Sequence, residues 1–383
     1  MSVTTQPSVT NPLARLPQVG QSVWLDFIKR SLISGGELRR LVAEDKVGGV
    51  TSNPAIFQKA IEGSDDYVPA IAELAKVKGL SAKGIYEGLA IKDIQDTADV
   101  LRPVYDRTNA HDGYVSLEVS PELARDTQGT LEEARRLWAA VSRPNLMIKV
   151  PATSEGVPAI QALLSEGINV NVTLLFARER YEEVARTFIE GIEGAAAAGR
   201  PLATIASVAS FFVSRIDTLA DSKLQKKIDA AAPADKARFQ ALQGKVAVAN
   251  AKLAYQSYKQ IFSGARWQAL RAKGAQVQRV LWASTGTKNP AYRDVLYVEE
   301  LIGPDTVNTM PPETIAAFKD HGRIRPSLEE DVARATALLA SLEAAGVSLR
   351  QVTDELIEDG LKKFVEPFIK LLATVERRAA EVR

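Results

Sequence analysis

The chain has no cysteine and only two histidines, His111 and His321, in 383 residues. Without cysteine there is no disulfide, no zinc–thiolate or iron–sulfur site and no thiol nucleophile. Two histidines leave little for a Ser–His–Asp triad. Acid–base chemistry is therefore expected from carboxylates, lysine and hydroxyl groups. An excess of one charge is also lacking: 48 Lys and Arg against 47 Asp and Glu give a net charge of +1. That balance supplies no general drive toward nucleic acid or an anionic membrane, but it allows a local basic pocket for a phosphate. No apolar run reaches the roughly 18 residues of a transmembrane candidate. The opening MSVTTQPSVTNPLARLPQ has no apolar core of the signal-peptide kind. A soluble, cytoplasmic protein is expected. There is no Walker loop, no GxGxxG run, no internal repeat, no low-complexity tract and no flexible linker between domains. The acidic residues show no spacing that asks for a metal, so no metal or organic cofactor is expected.

What is present is alternation. Hydrophobic residues make up 46% of the chain, enough for a sizeable core. Residues 1–20 are polar with three prolines and suggest an extended arm. Short apolar runs then alternate with longer segments of three- and four-residue apolar spacing, such as 130–140 and 178–195. The expected strands are Ser22–Asp26, Val47–Ser52, Tyr114–Val119, Leu146–Pro151, Asn169–Leu175, Thr204–Ser210, Gln278–Ser284 and Thr306–Met310. Eight strand–helix repeats predict an α/β fold, a (β/α)8 TIM barrel over residues 21–383. Two regions exceed the minimal barrel: helices in an insertion at about 221–275, including Leu242–Phe262, and C-terminal helices at about 327–383. The KLQKK run at 223–227 and the closing ERRAAEVR are expected to be solvated helix faces.

Barrel enzymes place their chemistry at the carboxyl ends of strands, and side chains alternate faces along a strand. Polar residues inside apolar runs are thus informative. Lys149 stands in LMIKVP, opposite in direction to Leu146, Ile148 and Val150. Burial disfavours a charged ammonium, and a neutral amine can attack a ketone to form a Schiff base. The same position also suits a structural ion pair or an exposed edge. Glu118 shares a face with Tyr114 and Ser116 and suits a general acid–base, or a buried partner of a lysine. Asn171 and Thr173, with Asn169, form one polar face of NVNVTLLF; they suit hydroxyl recognition, water positioning or a hydrogen-bonded barrel layer. Asp26 ends the first strand and Asn53 follows the second in TSNP, positions where turn and cap residues are also ordinary. Arg215 in SFFVSRID and Ser284 in LWASTGTKN suit a phosphate, with Lys288 close by; Arg215 also suits a surface ion pair.

Together, WLD (24–26), TSNPAIF (51–57), SLEVSP (116–121), MIKVPAT (147–153), NVNVTLLF (169–176), SFFVSRID (210–217) and LWASTGTKN (281–289) resemble the transaldolase family in order and spacing. The extra helices and GPDTVNTMPPET (303–314) resemble its longer bacterial branch. The resemblance implies a circularly permuted class I aldolase barrel with the Schiff-base lysine on the fourth strand, which is Lys149. It implies that Glu118 and Thr173 hold a proton-relaying water and that Asp26 takes the proton of the C4 hydroxyl. Asn53 and Asn171 would bind the dihydroxyacetone hydroxyls. Thr51 and Ser210 would support the water and the Schiff base, and Arg215 and Ser284 would hold a phosphate. The best-known branch has an arginine two positions after that serine. Here Gly286 stands there, and Lys288 is the candidate replacement.

The implied reaction moves a dihydroxyacetone unit between sugar phosphates, without metal or cofactor, in a monomer or homodimer. Two rival readings are a lyase of the fructose 6-phosphate aldolase kind and a non-catalytic sugar-phosphate-binding barrel. Those lyases are shorter chains with a tyrosine where this chain has Phe212, which favours the transferase. A binder has no use for a desolvated amine.

Overall fold

A computed structural model describes residues 11–382. Its centre is a closed barrel of eight parallel strands in chain order: β1 (Gln21–Leu25), β2 (Val47–Val50), β3 (Tyr114–Glu118), β4 (Leu146–Pro151), β5 (Val170–Leu175), β6 (Ser207–Phe212), β7 (Arg279–Ala283) and β8 (Thr306–Met310). β8 closes onto β1 along its whole length, Gln21 opposite Thr306 through Leu25 opposite Met310. Every residue of every strand is buried. One face fills the barrel and the other packs under helices, which is why the strands read as near-continuous apolar runs. The expected (β/α)8 fold is thus the observed one.

Local chemistry sets the helix starts. Asn53 accepts from the Ile56 amide at 3.0 Å with Pro54 in the first turn, Ser81 caps Ala82–Arg107, and Asp126 caps Thr127–Val141. Below the functional end the barrel interior is plugged by a polar cluster. Trp24 donates from its indole nitrogen to Asp112 at 2.7 Å, and Arg279 donates to Ser22 at 2.6 Å and lies 3.5 Å from Asp112. The VGGV of β2 accommodates this plug: a Cβ at Gly49 would stand 2.4 Å from the Trp24 ring.

Three expectations are corrected. Within the described part of the proposed arm, Leu13–Val19 forms a 3-10 helix with Leu13 and Leu16 fully buried, so apolar anchoring overrides the prolines; residues 1–10 lie outside the described residues. β6 begins and ends later than Thr204–Ser210, because Leu202–Thr204 forms a 3-10 turn after Pro201. The insertion helix starts at Val246 rather than Leu242, because Gly244 takes φ +68° and breaks the run.

Between β6 and β7 the chain forms helices Ser214–Ala230, Pro233–Gln240, Val246–Phe262 and Ala265–Arg271. After β8 come Pro312–His321, Val332–Ala344 and a 33-residue helix, Leu349–Glu381. That last helix crosses the carboxyl end of the barrel, where a Cβ at Gly360 would touch Leu174 at 2.9 Å and Arg215 at 3.8 Å. Among the described residues no single helix is long and apolar enough to cross a membrane.

Candidate active site

The strand register assembles the site. Glu118 pairs with Lys149 across β3 and β4, and Lys149 pairs with Asn171 across β4 and β5. Lys149 is 4% exposed and Glu118 8%, so both are withdrawn from bulk water. The Lys149 Nζ lies 3.3 Å from Glu118 Oε2 and donates to the Ser52 carbonyl at 3.1 Å. The carboxylate contact is electrostatic: neither Glu118 oxygen has an aligned hydrogen-bond donor, and the buried Thr173 hydroxyl is also unpartnered. Unpaired buried polar atoms are costly, and here they cluster within one strand of the amine. Burial pushes the Glu118 carboxyl up to about 7, against the opposing pull of Lys149. Burial also raises Asp26, which Lys149 and a 2.6 Å hydrogen bond from Thr51 work to lower.

A cavity of about 450 Å³ opens at this end of the barrel. Its walls include Asp26, Thr51, Asn53, Lys149, Thr173, Ser210, Phe212, Arg215, Ser284 and Lys288. Glu118 and Asn171 stand directly behind that wall. Asn171 donates to Ser116 at 2.9 Å and accepts from Ser210 at 2.7 Å. Both of its polar ends are therefore engaged, so it orients Ser210 while sharing a row with Lys149. Asn53 uses its side-chain oxygen as a helix cap, which leaves its amide nitrogen to face a ligand. Thr51 donates to Asp26 and lies 2.8 Å from the Thr309 hydroxyl. Asn169 serves only the barrel, donating to the Pro144 and Leu146 carbonyls.

Arg215 opens the helix after β6 and lies over the Phe212 ring at 5.1 Å. Its Nη1 is buried without an acceptor, and burial lowers its basicity. Ser284 adopts φ +58°, and its hydroxyl lies 2.9 Å from that of Ser214. Leu174, beside Thr173, adopts φ +62°. Such strain in non-glycine residues is held only where surroundings over-determine it, and it gathers at working sites. At Gly286 a Cβ would come 3.0 Å from the Thr314 hydroxyl and 3.4 Å from Pro311. A long side chain there is crowded, whereas Lys288, two residues on, reaches the cavity wall. Lys288 is exposed.

Sequence reasoning missed several wall residues. Phe364 from the C-terminal helix is 3% exposed and holds its ring 5.6 Å from the Lys149 Nζ. Lys59 and Glu313, on the helices after β2 and β8, also line the cavity. Helix position gave no local signal for any of them. Neither histidine reaches the cavity.

A family model described as Transaldolase/Fructose-6-phosphate aldolase matches residues 23–375. The chain belongs to this family. It is 47% identical over 380 residues to a transaldolase of Trichodesmium erythraeum, covering 98% of this chain and 99% of the relative. It is 50% identical over 371 residues to a transaldolase of Thermobifida fusca, covering 97% and 99%. A protein named transaldolase 2 from Nostoc punctiforme is 48% identical over 373 residues, with 96% and 97% covered. Membership of the transaldolase family extends over the barrel, the insertion and most of the C-terminal helix.

Proposed function

We infer that this protein is a transaldolase, transferring dihydroxyacetone from sedoheptulose 7-phosphate to glyceraldehyde 3-phosphate to give erythrose 4-phosphate and fructose 6-phosphate. The observation that carries the reading is the buried amine of Lys149 beside the buried carboxyl of Glu118, at the floor of a cavity walled by Arg215. Lys149 attacks the ketone carbon, and loss of water gives a protonated imine. Asp26 takes the C4 hydroxyl proton, the C3–C4 bond breaks and the aldose phosphate leaves. The bonding electrons remain as an enamine conjugated to the nitrogen. The enamine carbon attacks the acceptor aldehyde, Asp26 returns a proton to the new hydroxyl, and water releases the ketose.

Glu118 and Thr173 hold and relay the water consumed and released at the imine; both have buried polar atoms free for it. Thr51 orients Asp26, and Ser210 supports the imine. Asn53 acts on the dihydroxyacetone hydroxyls directly and Asn171 acts on them through Ser210, which it orients; Arg215, Ser284 and Lys288 hold the phosphate. No metal or organic cofactor takes part. Residues 21–383 work as one barrel domain, in a cytoplasmic monomer or homodimer. Borohydride reduction in the presence of fructose 6-phosphate tests the reading: a covalent three-carbon adduct supports it, and a chain that stays unmodified is a binder.

The Glu118 relay predicts an acid limb. Below about pH 7 the carboxyl holds its proton and can no longer accept one, so kcat/KM should fall about tenfold per pH unit. In Glu118→Gln the limb should vanish and the plateau should drop about 10²-fold. A limb that survives in this variant belongs to another group.

Lys288→Ala should raise KM for phosphorylated substrates about tenfold, the lower end for a charge-assisted contact because the ammonium is solvated. Imine formation with unphosphorylated dihydroxyacetone should be spared. An unchanged KM returns Lys288 to the solvated surface.

A further inference from the structure

Two aspartates one helical turn apart remain outside the mechanism. Asp217 and Asp221 lie on the Ser214–Ala230 helix, which begins beside Arg215, and the four-residue spacing puts them on one face. Each carboxylate takes one backbone amide and one phenol. Asp217 accepts from the Ala247 amide at 2.7 Å and from the Tyr297 hydroxyl at 3.0 Å. Asp221 accepts from the Gly244 amide at 3.0 Å and from the Tyr292 hydroxyl at 2.6 Å. The amides belong to the start of the insertion helix Val246–Phe262 and the turn before it. The phenols belong to the connection that follows β7, which carries Ser284, Gly286 and Lys288.

The two carboxylates therefore clasp two separate parts of the chain onto the Arg215 helix. At its near end the β7 connection is already tied there: the Ser214 amide donates to the Ser284 carbonyl at 3.0 Å, and the two serine hydroxyls lie 2.9 Å apart. At its far end Tyr292 and Tyr297 tie it again. Gly286 and Lys288 sit between the two anchorages. The fit at the far anchorage is close, since a Cβ at Gly244 would meet the Tyr292 ring at 2.7 Å.

Stability alone accounts poorly for this arrangement. Asp217 is 1% exposed, and no cation pairs with either carboxylate among the described residues. Burying an unpaired carboxylate costs free energy, and burial accordingly raises the Asp217 carboxyl to about 7. What the carboxylate supplies is two acceptor oxygens. One oxygen takes the insertion amide and the other takes the loop phenol, so a single side chain joins the two segments.

We propose that Asp217 and Asp221 are positioning residues for the phosphate side of the cavity. Through them the helical insertion holds the 284–292 loop at a fixed distance from Arg215. The proposal rests on the reading of Arg215, Ser284 and Lys288 as the phosphate-binding group. It gives the insertion, absent from a minimal barrel, a role in substrate recognition.

The test uses Tyr292→Phe, Tyr297→Phe and the double variant, each of which removes a hydroxyl and keeps the ring. The double variant should raise KM for fructose 6-phosphate and erythrose 4-phosphate about tenfold, the scale of two lost net hydrogen bonds. kcat should stay within about twofold, and the rate of borohydride trapping with unphosphorylated dihydroxyacetone should not change. Asp221→Ala, which removes both acceptors, should raise KM at least as far as Tyr292→Phe. An unchanged KM overturns the proposal. So does a loss that falls equally on trapping with dihydroxyacetone, because that marks general loosening, which the Tm of each variant would register. Arg215→Ala, measured in parallel, separates this failure from failure of the underlying assignment. If it leaves the preference for phosphorylated substrates intact, the phosphate reading itself is wrong. If it abolishes the preference while the tyrosine variants keep it, only the clasp is wrong.

Discussion

Lys149→Ala is expected to abolish transfer and borohydride trapping, by at least about 10⁴-fold, while leaving the barrel folded. The amine lies at the barrel floor 3.3 Å from Glu118, with the Phe364 ring 5.6 Å from it. Removing one partner of a buried ion pair is usually destabilising because a charge is left alone. Here the carboxyl already holds its proton up to about pH 7, so it can become neutral without a large penalty. Stability should therefore survive better than activity. Lys149→Arg should be equally inactive for a different reason: guanidinium keeps its charge and offers no lone pair to a ketone. Intact-protein mass spectrometry after reduction, with peptide mapping, reads the outcome. A three-carbon adduct that persists in Lys149→Ala would move the Schiff base to another amine, and the cavity offers two, Lys59 and Lys288.

Lys149 was legible because burial writes itself into sequence. β3 and β4 are covered on both faces, so each is an apolar run in which one charged residue stands out. Period-two alternation then assigns that residue to the barrel interior, and the observed register puts Glu118, Lys149 and Asn171 in one row. Position along a strand was less legible where a turn intervened. Pro201 and the 3-10 turn after it moved β6 by two or three residues, although the alternation of Ser210 and Phe212 survived the shift. Residues 11–20 misled in the opposite sense: proline and polar content suggested an arm, whereas Leu13 and Leu16 are core. Least legible were contacts across long separations. Phe364 lies 215 positions after Lys149, inside a helix whose pattern reports only amphipathicity. The Asp217–Tyr297 and Asp221–Tyr292 bonds join residues that no local spacing relates. A site is read from sequence where strands deliver it and is missed where helices lean over it.

Phe212→Tyr is expected to divert the enzyme from transfer toward cleavage. Phe212 closes β6 two residues after Ser210, and its ring lines the cavity between Phe176 at 5.2 Å and the Arg215 guanidinium at 5.1 Å. Phenylalanine there offers no proton, so under the proposed mechanism the carbanionic enamine on Lys149 waits for an acceptor aldehyde. A tyrosine hydroxyl would add a donor within the same cavity. Protonation of the enamine carbon gives an imine of dihydroxyacetone, and water then frees the ketone. The electron pair that would have formed the new C–C bond is spent on C–H instead. General acid catalysis contributes about 10²–10⁴-fold, enough to change which branch wins. The added oxygen also needs a partner in a pocket whose nearest cation is already short of acceptors at Nη1, and this favours retention of the tyrosine in the cavity over expulsion. Dihydroxyacetone release from fructose 6-phosphate without acceptor, measured beside the transfer rate, decides the matter. The ratio of release to transfer should rise by at least about tenfold. A variant that loses both rates together, or keeps the parent ratio, would show that Phe212 packs the pocket without protecting the intermediate.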